Sequence, residues 1–334
     1  MTPIQIEYHA PTTLAQAVAL LAEHGAAAAP LAGGTDLVPA LKYGVLRARH
    51  LVSLARIPGY RDIATTVEGG LAVGAFATLA DVAASPLVSE GWPALAEAAG
   101  QAGSPLLRNR GTIGGNVCLD TRCWYYNQTE AWRASRERCQ KAGGEPCYVN
   151  PKQNVCVALF SADTPAALIA VGARATLAGP AGERTVPVEA LYSGDGLRPL
   201  AKGEAEILTN LVLPAPPGRS GAAYLKHSVR ESIDFPLLGV AAAVVLSPGG
   251  TIASARLAVT GVRSAPCRLP ELEAALAGRQ IPAEGDRELG RLTARSLGAL
   301  FLTEAVPHKR HLAGLMAVDA VARAARQAQG RSTS

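Results

Sequence analysis

The sequence is poor in several residue types, and each shortage excludes a class of protein. Of its 334 residues only 18% are charged and 4% are aromatic, and the formal net charge is +5. No run of Lys and Arg with interleaved aromatics occurs, so a nucleic-acid interface is not indicated. Hydrophobic residues make up 49%, yet the apolar stretch 237–246 is far too short to cross a membrane. We therefore expect neither nucleic acid nor a membrane as a partner.

The N-terminus lacks the features of a secretory signal. Residues 1–8 contain no basic segment and no apolar stretch with a cleavage site. We therefore expect a cytoplasmic protein, in which stable disulfides are rare. Six cysteines are present, and four of them lie close together in the sequence: Cys123, Cys139, Cys147 and Cys156. In a reducing compartment, such clustering favours metal ligation over disulfide bonding.

The spacing of these four cysteines does not identify the metal. There is no C-x-x-C pair, and the intervals match no compact zinc motif. A 4Fe–4S cluster takes four thiolates that need only converge in space. Cys118 is a fifth candidate, although a buried free thiol is the commoner role, and the distant Cys267 is expected to be structural. The aromatics 124–126 could line a substrate path, but shielding a metal centre from water is the favoured interpretation.

Hydrophobic periodicity predicts an α+β chain of three segments. Strands, glycine turns and short helices alternate over 1–57, and a second such region covers 58–220. Residues 221–330 follow a Pro-rich linker and are predicted to form three strands, at 223–227, 237–246 and 253–262, and then long helices. The sequence thus predicts two α/β subdomains before a C-terminal domain with a three-stranded sheet and helices.

Two glycine-rich loops follow apolar segments. The first, Leu31-Ala-Gly-Gly-Thr-Asp-Leu37, leads from a short buried strand into a helix, so its backbone N–H groups could hold a pyrophosphate. The second is Thr112-Ile-Gly-Gly-Asn116, whose Thr112 and Asn116 side chains can hydrogen-bond to a ligand. Each loop alone could be an ordinary turn, and neither is a G-x-G-x-x-G motif. Together they favour one shared phosphate ligand.

These paired loops resemble those of the FAD-binding subunits of molybdenum hydroxylases. The likeness extends from Tyr8 to about Ala325 and includes residues 161–168 and the strand that carries Lys226. It implies a two-subdomain FAD-binding fold, a C-terminal α+β domain and one bound FAD. It also implies the cofactor contacts, which are Leu31, Ala32, Gly33, Gly34, Thr35, Asp36, Leu37, Thr112, Ile113, Gly114, Gly115, Asn116, Asp163 and Lys226.

The chain departs from the family pattern between Asn116 and Asp163. In most members the acidic residue follows the Gly-Gly-Asn loop closely, whereas here an insert at 119–158 separates the two. The insert contains Cys123, Cys139, Cys147 and Cys156. In this it resembles the β subunits of 4-hydroxybenzoyl-CoA reductases, the branch of the family with an extra 4Fe–4S cluster. The resemblance implies that these four thiolates hold such a cluster.

The same resemblance implies a subunit that transfers electrons and leaves substrate chemistry to its partners. Ferredoxin would supply electrons through 4Fe–4S and FAD to 2Fe–2S and molybdopterin subunits, in a dimer of heterotrimers, for reductive dehydroxylation to benzoyl-CoA. Basic insert residues would form a landing patch for an acidic ferredoxin: Arg133, Arg136, Arg138 and Lys141. The alternatives are the FAD subunit of an oxidative molybdenum hydroxylase and a non-catalytic flavin redox sensor. No histidine site is predicted, because the six histidines are scattered.

Overall fold

Three sheets follow one another along the chain. The computed structural model describes residues 5–152, 154–283, 285–297 and 308–330. The sheets have three, five and four strands, so the α+β class predicted from the sequence is confirmed. Each sheet lies within one of the three predicted segments, except that the third sheet begins one residue early, at Ser220; the segment boundaries stay a prediction. No helix in the described parts of the chain is both long enough and apolar enough to cross a membrane.

The first sheet is parallel, with strand order β1-β3-β2. Its elements are β1 (Glu7–His9), α1 (Leu14–His24), β2 (Ala28–Leu31), α2 (Leu37–Lys42) and β3 (His50–Ser53). Adjacent residues of β3 point to opposite faces. Val52 packs with α1 residues in one core, and Leu51 packs with Leu41 of α2 in another. The glycine loop after β2 is therefore held between two packed layers.

The sequence Thr13-Leu-Ala-Gln16 predicts a capping box at the start of a helix, and α1 begins there with one difference. The Thr13 hydroxyl accepts a hydrogen bond from the Gln16 backbone N–H at 3.2 Å. The Gln16 side chain returns to the N–H of Thr12, at 3.1 Å, and not to that of Thr13. The helix start is confirmed, and its reciprocal bond lies one residue earlier than a standard capping box requires.

The second sheet is antiparallel, with order β4-β5-β8-β6-β7. Its strands are β4 (Ile63–Thr65), β5 (Leu71–Gly74), β6 (Arg174–Gly179), β7 (Gly182–Pro187) and β8 (Ile207–Leu213). Between β5 and β6 lie α3 (Leu79–Ala84), α4 (Pro86–Gly91), α5 (Pro93–Gln101), α6 (Pro105–Arg108), α7 (Ile113–Val117), α8 (Glu130–Ala134) and α9 (Thr164–Ala170). The insert 119–158 contains α8, a 3-10 turn at Gln140–Ala142 and no strand among its described residues.

The third sheet is antiparallel and has one strand more than predicted. Its strands are β9 (Ser220–His227), β10 (Leu238–Leu246), β11 (Ile252–Thr260) and the two-residue β12 (Cys267–Arg268). The helices are α10 (Pro270–Leu276), α11 (Arg287–Ser296) and α12 (Lys309–Gly330). Residues 298–307, which belong to the predicted helical region, and residues 331–334 lie outside the described residues.

Candidate cofactor sites

The two glycine loops meet at one point. A Cβ atom on Gly33 would collide with the carbonyl oxygen of Arg110, which lies two residues before the second loop. Beside this contact lies a cavity of about 110 Å³, lined by Ala32, Gly33, Leu54, Ala55, Arg61, Phe76, Thr78, Asn109, Arg110 and Thr112. Glycine is required at position 33 because only its hydrogen leaves room for the neighbouring backbone.

The first loop, whose Gly33 lines this cavity, has free hydrogen-bond donors. Within the described chain, the backbone N–H groups of Gly33, Gly34, Thr35 and Asp36 have no protein acceptor, and these residues are half-buried. Helix α2 begins directly afterwards, at Leu37. Half-buried N–H groups that lack an acceptor favour an anion. The loop therefore fits the phosphates of FAD.

Two arginines that the sequence analysis did not single out also suit a pyrophosphate. Arg61 and Arg110 line the cavity, and guanidinium groups bind phosphate oxygens in a fork geometry. The position of Arg110 immediately before Gly111 was the one available signal. Arg61 precedes β4, and nothing in the sequence relates it to either loop.

Asp36 is neutralised by a residue of the insert. Its carboxylate forms an ion pair with Arg122, whose side chain is 9% exposed. Burial raises the pKa of Asp36, and the charge and hydrogen bond of Arg122 oppose the rise. An unpaired carboxylate beside a phosphate would repel it, so Arg122 makes Asp36 compatible with an anionic ligand.

The second loop uses most of its own donors to fold. Thr112 caps α7 by accepting from the N–H of Gly115 at 3.1 Å, and the N–H of Gly114 donates to the Ala75 carbonyl at 2.8 Å. The Asn116 side-chain oxygen accepts from both the backbone and the hydroxyl of Thr164, at 3.1 and 2.6 Å. The Thr112 hydroxyl hydrogen and the Asn116 amide hydrogens are left for a ligand.

Asp163 and Lys226 form a buried ion pair between the second and third sheets. Their charged atoms are 3.1 Å apart, and their side chains are 4% and 6% exposed. The Tyr224 hydroxyl also donates to Asp163, at 2.8 Å. The Lys226 ammonium donates further to the carbonyls of Gln101 and Asp234, at 2.8 and 2.9 Å. Because Asp163 directly precedes Thr164, one chain of contacts joins the second loop to β9.

The four cysteines of the insert are all free, and their thiols influence one another. Burial raises the pKa of the Cys123 thiol, the N–H groups of Tyr126 and Tyr125 lower it, and charge on Cys139 and Cys147 raises it. Burial likewise raises the pKa of the Cys156 thiol. The backbone N–H of Ala158 and the charge of Lys141 lower this pKa, and charge on Cys123 and Cys147 raises it further. The structure thus brings the four sulfurs into one neighbourhood.

Tight turns produce this convergence. A Cβ atom on Gly144 would collide with the Arg138 carbonyl, so the chain can turn back between Cys139 and Cys147 only with glycine there. The N–H of Gln140 donates to the Pro146 carbonyl at 3.0 Å and closes the turn. The Cys156 carbonyl accepts from the N–H of Gly196 at 3.1 Å, which fixes the last thiol against the second subdomain.

The insert also lies against the first subdomain. Arg133 donates to the Gly44 carbonyl at 2.7 Å, and the Tyr126 hydroxyl donates to the Val45 carbonyl at 3.3 Å. A cavity of about 400 Å³ lies between the two parts beside these contacts, and Cys139 lines it. Trp124 is 67% exposed, so shielding by this residue is not found, whereas Tyr125 and Tyr126 are half-buried.

The predicted basic patch is only half correct. The Lys141 side chain is 7% exposed, and it donates to Asp120 and to the Gly196 carbonyl, both at 2.7 Å. Its surface role is wrong because the insert folds over it and places its charge beside Cys156. Arg133 is half-buried, while Arg136 and Arg138 are exposed.

The expectation that the histidines are scattered is also wrong for three of them. His9, His24 and His50 bring their ring nitrogens within 4.8 Å of one another. Sequence spacing conceals this, because the three lie on two strands and one helix of the first subdomain. The cluster shares no residue with the two glycine loops or with the cysteine insert.

Comparison with known proteins identifies the family. Residues 4–216 match the FAD binding domain in molybdopterin dehydrogenase, and residues 223–324 match the CO dehydrogenase flavoprotein C-terminal domain. The chain belongs to the FAD-binding medium subunits of the molybdenum hydroxylase family. It is thus an oxidoreductase subunit that binds FAD. Membership in this family does not favour the alternative of a non-catalytic flavin redox sensor.

Several relatives carry names that describe such subunits. The carbon monoxide dehydrogenase medium chain of Hydrogenophaga pseudoflava is 33% identical over 92% of this chain and 85% of the relative. The 6-hydroxypseudooxynicotine dehydrogenase complex subunit alpha of Paenarthrobacter nicotinovorans is 29% identical over 82% and 78%. A solved structure of the Hydrogenophaga carbon monoxide dehydrogenase superposes with a TM-score of 0.77 at 29% identity and covers 100% of both chains. The predicted two-part FAD-binding fold with a C-terminal domain is therefore confirmed.

Proposed function

We propose that this FAD subunit also holds one 4Fe–4S cluster, on Cys123, Cys139, Cys147 and Cys156. One observation supports the proposal: four free thiols from separate turns of the insert lie near enough for charge on some to raise the pKa of others, and two of them are less than 10% exposed. Thiolates gathered in this way repel one another, so the arrangement favours a positively charged occupant. Within the described chain, no disulfide relieves the repulsion.

The donor set suits a cluster better than a single ion. Each thiolate of a cubane binds its own iron atom, so the sulfurs stand farther apart than the ligands of one metal ion. In agreement, these thiols do not meet the 4.8 Å ligand spacing that the three histidines satisfy within the described residues. When bound, a 4Fe–4S cluster supplies one-electron transfer at low potential. The N–H groups of Tyr125, Tyr126 and Ala158 and the Lys141 ammonium would stabilise the net negative charge of the cluster together with its four thiolates.

For FAD, we propose the contacts predicted from the sequence, with Arg61 and Arg110 added. Residues 31–37 would hold the pyrophosphate with backbone N–H groups. Thr112 and Asn116 would add side-chain bonds, while Ile113, Gly114 and Gly115 shape the loop. Asp163 and Lys226 would align the third sheet beside the cofactor. The insert follows the second loop directly, so cluster and flavin would be neighbours.

We propose that the chain works as an electron carrier with a molybdopterin large subunit and a 2Fe–2S small subunit, in the cytoplasm. Several relatives are named as medium chains or as a subunit of a complex, which supports this assembly. A dimer of heterotrimers and the three domain boundaries, 1–57, 58–220 and 221–330, are part of the same proposal.

For the reaction, we propose the reductive direction of a 4-hydroxybenzoyl-CoA reductase, with ferredoxin as the electron donor. Removing a phenolic hydroxyl by reduction disrupts aromaticity and therefore needs a strong electron donor. A low-potential 4Fe–4S cluster can accept electrons from such a donor. The cysteine insert supports this direction. The names of the relatives support a second candidate, an oxidative molybdenum hydroxylase, because they are dehydrogenases.

Metal and flavin analysis of the purified complex tests the cluster. Cys147→Ser is expected to lower iron and acid-labile sulfide by about four atoms each per chain, as for one cubane. Cys118→Ser and Cys267→Ser are matched controls that should retain full iron. Iron that is unchanged by Cys147→Ser, or lost with Cys118→Ser, would show that these four cysteines are not the ligand set.

A second experiment separates the two directions. The complex with Cys147→Ser, reloaded with excess FAD, is given 4-hydroxybenzoyl-CoA with either reduced ferredoxin or a dye that reduces FAD directly. We expect turnover with the dye and little with ferredoxin. Equal rates with ferredoxin in variant and wild type would reject electron entry through the cluster. Absence of turnover by the wild type with both donors would favour the oxidative candidate.

A further inference from the structure

Three imidazoles from distant positions meet beside the first sheet. His9 ends β1, His24 is the last residue of α1, and His50 begins β3. Their ring nitrogens all lie within 4.8 Å of one another, and each residue is partly exposed. Over the described ranges of the chain, this is the one group of three or more His, Cys, Asp or Glu with ligand atoms so close.

The register of the sheet explains why they meet. β1 and β3 pair in parallel, with Glu7 opposite His50 and His9 opposite Val52. Residues opposite one another in a parallel pair point to the same face. Val52 packs in the core that contains α1, so His9 and His50 face α1, which ends at His24. Backbone pairing and helix packing therefore hold the cluster in place.

The distances suit one metal ion. His9 Nε2 and His50 Nδ1 are 3.1 Å apart. Two nitrogen ligands at about 2.1 Å from one tetrahedral zinc would be separated by about 3.4 Å. The Glu7 carboxylate lies 3.8 Å from His9 Nε2 and 3.5 Å from His50 Nδ1, so an acidic oxygen is within reach as a fourth ligand.

His24 would have to turn before it could bind. Its ring is stacked on that of His50, with centroids 3.7 Å apart and planes 2° from parallel. Nitrogen lone pairs lie in the ring plane, so two stacked rings cannot bind the same ion. His24 is the last residue of α1 and is half-buried, so binding requires its side chain to adopt another rotamer. The negative end of the α1 dipole also favours a cation there.

We propose that His9, His24 and His50 form a binding site for one Zn²⁺ ion, with Glu7 as the fourth ligand. Three imidazoles and a carboxylate in tetrahedral geometry suit zinc. The ion would join the edge strand β1 to β3 and to α1. The site stands apart from the FAD cavity, which is lined by Leu54 and Ala55 just after the opposite end of β3. The inference does not depend on the proposed reaction.

Equilibrium dialysis of the holoenzyme complex against Zn²⁺, followed by elemental analysis, tests the site. Wild type is expected to bind one more zinc per chain than His50→Asn. His227→Asn alters an exposed histidine outside the cluster and should bind as much zinc as wild type. Zinc bound at cysteines or on partner subunits is common to all three proteins and cancels in the comparison.

Thermal unfolding gives a second readout. Zn²⁺ should raise the unfolding temperature of wild type and of His227→Asn, but not that of His50→Asn. If His50→Asn does not fold, His24→Gln at the helix end serves instead, with zinc affinity expected to fall at least about tenfold. Equal zinc content in wild type and in the His50 or His24 variant, with equal shifts in unfolding temperature, would overturn the proposal. It would mean that the three stacked histidines serve only in packing.

Discussion

At the scale of single residues, Gly33 marks the point where the two flavin loops touch. Gly33→Ala would drive a methyl group into the Arg110 carbonyl, and overpacking of this kind costs about 1–3 kcal/mol. We expect FAD affinity to fall about tenfold, because each 1.4 kcal/mol is tenfold in a binding constant. FAD released by acid and counted per chain measures this. Gly218→Ala, where the added methyl meets open space, is the control and should keep its FAD. Full FAD content in Gly33→Ala would contradict the assignment of this loop to FAD binding.

Asp163 gives a pH-dependent prediction. Burial raises its pKa from 3.8 to about 6, although Lys226 and the Tyr224 hydroxyl oppose the rise. The folded chain therefore binds this proton more tightly than the unfolded chain does. Between about pH 4 and 6, ionisation of Asp163 lowers the free energy of unfolding as pH rises, by about 1 kcal/mol per pH unit.

Asp163→Asn removes this dependence. The stability of wild type relative to the variant should decrease from pH 4 to pH 6 and level off above about pH 7. Urea unfolding of both FAD-bound proteins across that range measures the difference. A difference that is independent of pH would show that Asp163 ionises as readily in the folded chain as in the unfolded one.

At the scale of elements, the turn between Cys139 and Cys147 depends on two adjacent glycines for different reasons. Gly144 has no room for a Cβ, whereas Gly143 has open space and a left-handed φ of 86°. We expect Gly144→Ala to separate the two thiols and to lower bound iron to less than about half of the wild-type content, as for a ligand loop forced apart. Gly143→Asn should retain it, because Asn tolerates the left-handed region. Equal iron in both variants would show that the turn does not position the ligands.

At the scale of the whole molecule, the exposed arginines of the insert predict a salt effect. If an acidic ferredoxin docks there, Arg138→Gln should slow electron transfer several-fold at low ionic strength, because steering charges raise association rates. The difference should vanish near 1 M salt, where the Debye length is about 3 Å. Arg174→Gln, an exposed arginine on β6 of the second sheet, is the control. Salt-independent rates in Arg138→Gln would place the donor elsewhere.

The sequence predicts the elements of this fold better than the contacts between them. A glycine turn or a change in periodicity marks both ends of a helix predicted over 37–42 and of a strand predicted over 207–213, and α2 and β8 have these bounds. The four cysteines and two glycine loops were found because local composition and family resemblance identify them. Lys141 could not be placed, since its burial depends on Asp120 and on the Gly196 carbonyl, which is distant in the sequence. The histidine cluster depends on strand register, which single-sequence patterns do not determine.

The Arg122–Asp36 ion pair has a consequence for how the protein is assembled. Arg122 stands next to the first cysteine of the insert, and Asp36 belongs to the loop proposed to bind the flavin pyrophosphate. Anything that orders the insert then also orders that loop, so the two cofactors should bind cooperatively. Thermodynamic reciprocity requires FAD to strengthen iron retention by the same factor by which the cluster strengthens FAD binding. Chains purified with partial flavin should therefore lack iron in the same molecules, and maturation in the cell would give fully loaded or empty subunits with few half-loaded ones.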